Sequence, residues 1–110
     1  MSAIPTRSRA LVKERSNDQC SRCGVSGSEW HHRRRRAVKL GHNPHCPCIG
    51  VWLCGTCHRD VHANPAKAKI TGYIIDPHEE SPWTVPLKTF MGWVLNDCEG
   101  DAAFTEAPSR

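Results

Sequence analysis

The hydrophobic positions of this chain come in short groups separated by turn-forming residues, and no long apolar run is present. From Thr6 to about Ser16, helix-forming residues place Leu11 and Val12 on one side, which predicts a short helix capped by Thr6. Glu29 to Arg34 and Val51-Trp52-Leu53 are each typical of a strand. Between the two strands, glycines and prolines without helical periodicity predict a loop from Arg35 to Gly50.

The second half predicts a short helix and then β structure. The helix runs from His58 to about Ala63, and Asn64-Pro65 is suited to begin a further helical turn. Gly72 to Ile75 and roughly Phe90 to Leu95 are β-rich and favour a hairpin. The acidic tail from Asn96 to Arg110 is expected to be frayed. These elements predict a small α+β fold, with one domain over residues 1–75 and a short β-rich extension with a flexible acidic tail over 76–110.

The cysteines matter for stability. A chain of 110 residues with 38% hydrophobic content has a limited core, so we expect another source of stability. There are seven cysteines, and the first residues lack an apolar signal stretch, so we expect a cytoplasmic protein with no membrane segment. In a reducing compartment, two Cys-x2-Cys turns predict one structural zinc site, formed by Cys20, Cys23, Cys54 and Cys57. The alternatives are a redox dithiol or free buried cysteines. Cys46 and Cys48 are interpreted as free or ligand-substituting thiols, and Cys98 as incidental.

Charge is unevenly divided along the chain. Residues 1–69 carry 13 lysines and arginines against 4 acidic residues, residues 70–110 carry 2 against 7, and the whole chain has a formal net charge of +4. A cationic body attracts a polyanion and holds it by releasing counterions, which favours a nucleic acid as the partner.

Four histidines flank the cysteine turns. His58 and His62 are four residues apart in a predicted helix, so both side chains project from one face and can chelate one cation. His31 and His32 are adjacent on a predicted strand and point to opposite faces, so ideal geometry allows only one of them to join that metal. The pattern therefore indicates one ligand and one base in the doublet.

Three segments together resemble the HNH (His-Asn-His) endonuclease family, and in particular its small bacteriophage-encoded members. They are Cys-x2-Cys-Gly, then Trp-His-His-Arg-Arg-Arg-Arg, then Leu-Cys-x2-Cys-His-Arg-Asp-Val-His-Ala-Asn-Pro. The resemblance covers about residues 5–75, with a further short likeness at residues 93–97. It implies a ββα-metal finger with its core at about residues 29–63, and cysteine knuckles at 20–23 and 54–57.

The resemblance also implies roles for the histidines. His31, His58 and His62 would bind a catalytic divalent cation, and His32 would be the general base in hydrolysis of DNA phosphodiester bonds. An imidazole set suits Zn²⁺, Ni²⁺, Mn²⁺ or Co²⁺ better than Mg²⁺, which prefers oxygen ligands. Expected partners are DNA and, as in phage relatives, packaging proteins such as terminase; the compartment would then be the host cytoplasm.

Basic residues beside the histidines are the candidates for phosphate contact. They are Arg33, Arg34, Arg35, Arg36 and Arg59. Because neighbours on an extended segment point in different directions, we expect alternate members of the arginine run to reach DNA. A solvated face or a localisation signal is the alternative interpretation of such a run.

One position departs from the family pattern. The family's asparagine stands nine residues before the first helix histidine, and that place is held here by Ile49, while Asn43 is too far away to align. Isoleucine cannot make the hydrogen bond that holds the base in relatives. Other groups such as His45, Cys46 or Cys48 could fix the loop, or activity could be reduced. A further alternative is a non-catalytic zinc module that binds DNA or a packaging partner.

Overall fold

A two-stranded antiparallel sheet and the helix that follows it lie at the centre of this fold. The computed structural model describes residues 4–34 and 43–108, so Arg35, Arg36 and much of the predicted loop lie outside the described residues. The helices are α1 (Thr6–Arg15), α2 (Gly55–Ala63) and α3 (Pro65–Ile70); the strands are β1 (Glu29–His32), β2 (Gly50–Leu53), β3 (Leu87–Thr89), β4 (Gly92–Asn96) and β5 (Ala102–Phe104). The predicted α+β class is therefore confirmed.

The β1–β2 hairpin fixes which histidine faces which side. Trp30 pairs with Trp52, His31 with Val51 and His32 with Gly50. Gly50 is required here, because a Cβ atom at this position would lie 2.1 Å from Cζ2 of Trp30. The hairpin can therefore close over the Trp30 indole only with glycine in β2.

Each cysteine turn has a local reason for its shape. In the first turn, Gly24 adopts a φ of +85°, a left-handed conformation that glycine tolerates. Its N–H donates to the carbonyl of Cys20 (2.8 Å). In the second turn, the sulfur of Cys54 caps α2 by accepting the N–H of Cys57 (3.4 Å).

One hydrophobic core joins the sequence segments before and after residue 75. Its buried members are Cys20, Val51, Leu53, Cys57, Val61, Ala68, Tyr73, Leu87 and Val94. Leu87 and Val94 come from the second sheet, whose strand order is β3-β4-β5 with antiparallel pairing. Residues beyond 75 therefore add to the core that surrounds the cysteine turns.

Three local predictions were wrong. Thr6 is the first residue of α1, and Pro5 holds the capping position without a side-chain hydrogen bond. Gly72 to Ile75 does not pair as a strand: Gly72, at a φ of +88°, follows the end of α3, and the partner of β4 is Leu87–Thr89. The tail is not frayed throughout, because Ala102–Phe104 pairs with β4.

Within residues 4–34 and 43–108, no helix has the length and apolar character needed to cross a membrane.

Candidate metal centres

The four cysteines of the two turns converge on one point. The sulfur atoms of Cys20, Cys23, Cys54 and Cys57 all lie within 4.8 Å of one another. Cys23 Sγ and Cys54 Sγ are 3.8 Å apart, and a tetrahedron with Zn–S bonds of about 2.3 Å has edges of about 3.8 Å. None of the seven cysteines forms a disulfide. The cluster can hold a metal ion and is consistent with structural zinc.

The surroundings of this cluster favour thiolate at some positions and disfavour it at others. Burial acts to raise the pKa of Cys20, but backbone hydrogen bonds from Cys54, Cys23 and Arg22 lower it to about 7. Burial and the neighbouring thiols raise the pKa of Cys57 to about 12. Since burial and the neighbouring thiols disfavour ionisation of Cys57, a cation would favour the thiolate form of this sulfur.

A second group consists of His31 from β1 and of His58 and His62 from α2. Their donor nitrogens lie within 4.8 Å of one another. The ring centroids are 5.1 Å apart for His31 and His58, 5.3 Å for His31 and His62, and 5.0 Å for the two helix histidines. The predicted three-histidine grouping is therefore brought together.

His31 has the protonation pattern of a metal ligand. Its Nε2–H donates to the carbonyl of Tyr73 (2.6 Å), which leaves the lone pair on Nδ1. That Nδ1 is buried and has no hydrogen-bond partner among the described residues. Burial, together with the neighbouring His58 and His62, lowers the pKa of His31 to about 4, so the ring is neutral at pH 7. A buried acceptor without a donor fits a cation at this point.

Glu29 orients the next ligand. His58 Nδ1 donates to Oε1 of Glu29 (2.6 Å), and such a carboxylate fixes the tautomer and leaves Nε2 available to a metal. The sequence prediction missed both Glu29 and Tyr73. Glu29 lies two residues before His31 on the same strand face, so strand periodicity could have predicted that it lies near the histidines. Tyr73 is 42 residues from His31, and no local pattern predicts that contact.

His32 points away from this trio and meets a histidine from the loop. Its Nε2 lies 3.2 Å from Nδ1 of His45, and its ring packs edge-on against Trp30. The backbone N–H of His45 in turn donates to Oδ1 of Asn43 (2.9 Å). Asn43, although out of alignment with the family position, therefore supports the segment that contacts His32.

His31, His32 and His62 nevertheless line one cavity of about 340 Å³, whose apolar wall includes Ile74 and Ile75. A larger cavity of about 420 Å³ lies between α1 and the second sheet, but no histidine, cysteine or carboxylate lines it. Of these two cavities, the smaller one has side chains in its wall that can ligate a metal.

The prediction that Arg33 and Arg34 contact DNA is not supported by their positions, because each side chain is only 1% exposed. Arg33 donates to the carbonyls of Gly72 (2.7 Å), Cys48 (3.0 Å) and Val85 (2.8 Å). Arg34 donates to the carbonyl of Glu79 (2.6 Å). Arg59 is exposed on α2. Both residues directly follow β1; Arg33 uses its three donor groups on carbonyls, whereas Nε and Nη2 of Arg34 are buried without a hydrogen-bond partner among the described residues.

Ile49 is fully buried beside Cys46 and Cys48. Its backbone N–H donates to Cys46 and its carbonyl accepts from Arg33, both at 2.9 Å. Cys98, which was expected to be incidental, brings its sulfur within 4.8 Å of those of Cys46 and Cys48. The isoleucine is therefore packed against a second group of cysteines.

Comparisons with known proteins identify no relative. No protein-family model matches the chain, and neither a curated protein nor a solved structure matches it.

Proposed function

We propose that this chain is a metal-dependent DNA endonuclease of the HNH type, with β1, β2 and α2 as its ββα-metal finger. One observation carries the proposal. The buried, unpartnered Nδ1 of His31 lies with the donor nitrogens of His58 and His62, and His32 lines the same cavity. A site for a cation and a candidate base beside it are the two requirements for hydrolysing a phosphodiester.

His31, His58 and His62 would hold the cation, with Glu29 and Tyr73 fixing two of the rings. A bound Zn²⁺, Ni²⁺, Mn²⁺ or Co²⁺ would stabilise negative charge on the phosphate and on the leaving 3′ oxygen. Structural zinc in the four-cysteine cluster would join the turn at residues 20–23 to the beginning of α2, the helix that carries His58 and His62.

His32 would accept the proton of the attacking water. When its Nε2–H donates to Nδ1 of His45, the lone pair for that proton is on its Nδ1. His45 then serves as a positioning residue and replaces the role that the family's asparagine has. The asparagine that Ile49 replaces is then not needed, because the loop contacts His32 through the side chain of His45 instead.

DNA would approach across α2, which carries two of the ligands, and across the neighbouring α3. Arg59, Lys67 and Lys69 are exposed on α2 and α3, and exposed cations of this kind hold the phosphate backbone without reading sequence. They replace Arg33 and Arg34 as the proposed phosphate contacts.

Nicking of supercoiled plasmid by the purified, zinc-loaded chain with added Ni²⁺, Mn²⁺, Zn²⁺ or Mg²⁺ tests the activity. We expect His32→Ala to lower the nicking rate by about 10²- to 10⁴-fold, the usual contribution of a general base. His45→Ala should lower it by about 10- to 100-fold, as for groups that orient a functional residue.

His78→Ala is the matched control, because His78 is exposed and lies outside the cavity, and it should nick at the wild-type rate. Folded, metal-loaded wild-type protein that never nicks would overturn the proposal. If that protein and His32→Ala bind plasmid equally well without cutting, the chain is instead a zinc-containing DNA-binding module, which the buried Ile49 favours.

A further inference from the structure

Three cysteines outside the two proposed sites meet at one buried place. Cys46 and Cys48 come from the turn before β2, and Cys98 follows β4. Their sulfur atoms lie within 4.8 Å of one another. Cys48 is fully buried, Cys46 is 8% exposed, and Ile49 packs against them. Segments separated by about half the chain thus bring three soft ligands together.

This group is separate from the four-cysteine cluster. Cys46 and Cys48 pack in a buried cluster with Ile49 and Cys98, whereas Cys20 and Cys57 belong to the main core. The interpretation of Cys46 and Cys48 as substitutes for ligands of the first cluster is therefore not favoured.

A positive charge lies beside the group. The guanidinium of Arg15 donates to the carbonyl of Pro47, the residue between the two loop cysteines, and to that of Gly50, both at 2.7 Å. Three thiolates on a divalent cation carry a net charge of −1, and a neighbouring guanidinium offsets that charge.

We propose that Cys46, Cys48 and Cys98 form a second thiolate metal site, which takes a soft divalent cation such as Zn²⁺. Binding releases three protons from the thiols and forms three metal–sulfur bonds, and the fourth tetrahedral position is left to water or another donor. The oxidation state of sulfur does not change.

The proposed ion would fasten the loop that carries His45 to the chain after β4. His45 immediately precedes Cys46, so holding that cysteine restrains the histidine that contacts His32. The metal site itself depends only on the cysteines and does not require that the chain cleave DNA.

Metal content of the full chain is the first test. His58→Ala/His62→Ala serves as the background, because it removes the histidine centre from the count. After a wash with a weak chelator, we expect about two zinc ions per chain in this background, and about one when Cys98→Ser is added. Cys98→His, which restores a zinc ligand, should recover the second ion.

Titration with Co²⁺ keeps the test independent of those histidine substitutions. Charge-transfer absorption from sulfur to cobalt reports thiolate ligands alone, so in the wild type it should keep rising through the second equivalent. In Cys98→Ser it should reach a plateau earlier, while Ser81→Ala, a change of similar size outside the group, should match the wild type.

The proposal is overturned if the wild type and Cys98→Ser bind equal amounts of zinc and show the same cobalt titration. It is also overturned if peptide mapping of the zinc-loaded protein finds two of the three cysteines joined in a disulfide. Plasmid nicking is measured separately. If the protein does not cleave DNA, the zinc content and the cobalt titration therefore still decide whether the three cysteines bind a metal.

Discussion

Three carbonyl groups from distant segments meet at the guanidinium of Arg33. They belong to Gly72, Cys48 and Val85, and the backbone of Arg33 also accepts from the N–H of Ile75 (2.8 Å). Burial lowers the pKa of Arg33 to about 10, so the group keeps its charge at pH 7. The buried guanidinium uses Nε, Nη1 and Nη2 as donors. It therefore connects the end of β1 to the loop before β2, to the residue after α3 and its turn, and to the segment that leads into β3.

Replacing Arg33 by methionine should therefore lower the free energy of unfolding by about 3 kcal/mol, because three buried carbonyls lose charged donors. Chemical denaturation of the zinc-loaded protein measures this loss. Arg59→Met, at an exposed position of the same residue type, is the control and should change stability by less than about 0.5 kcal/mol. Equal stability of the two variants would contradict the role given to Arg33.

The residues of the proposed centres were predictable only where spacing is local. Cys20, Cys23, Cys54 and Cys57 follow two short motifs, and His58 and His62 follow one helical turn. Tyr73 and Cys98 meet their partners through long-range packing, which no short pattern encodes, whereas His45 was one of several loop residues that the sequence offered for fixing the loop. The prediction for Arg33 failed for a physical reason: charge favours solvent, but a buried guanidinium is stable where carbonyls surround it, as three do here.

The hairpin β1–β2 is the element on which the orientation of both strand histidines depends. His31 and His32 face opposite sides because alternate residues of a strand do so, and the register places His32 opposite Gly50. Strands and helices around the cysteine turns were predictable from local pattern. The second sheet was less so, because β3 and β5 have only three residues each and depend on pairing with β4.

Gly50→Ala should disturb this hairpin, because the new methyl group would collide with the Trp30 ring, which packs against His32. We expect a loss of about 1–3 kcal/mol in unfolding free energy, measured by thermal or chemical denaturation. Gly55→Ala is the matched control: its methyl group would meet the ends of two flexible side chains, Nη1 of Arg59 at 3.1 Å and Oε2 of Glu29 at 3.3 Å, and should change stability by less than about 1 kcal/mol. A neutral Gly50→Ala would mean that the hairpin opens more easily than its packing implies.

At the scale of the whole molecule, the cysteine turns belong to the core. Cys20 and Cys57 are buried with Val51, Val61 and Leu87, so the four-cysteine cluster joins the central hairpin, α2 and the second sheet. An ion there would compensate for the small hydrophobic content that the composition indicates.

Removing metal with a strong chelator should therefore abolish cooperative unfolding and the near-ultraviolet circular dichroism of the tryptophans, and added Zn²⁺ should restore both. His62→Ala without chelator should keep the fold, because His62 is exposed on α2. Chelated protein that unfolds as cooperatively as the zinc-loaded form would show that the cysteines pack as thiols.

Tyr73 connects β1 to β3 through its backbone carbonyl on one side and its side chain on the other. Its carbonyl accepts from His31 in the proposed catalytic centre, and its hydroxyl donates to the carbonyl of Lys88 (2.6 Å) in β3. A minimal nuclease cut back to residues 1–75 would retain the three histidine ligands and all four cysteines of the first cluster. It would lose the hydrogen bond from Tyr73 to β3 and with it the restraint on His31, so the sheet after residue 75 would support the proposed chemistry without supplying a ligand to it.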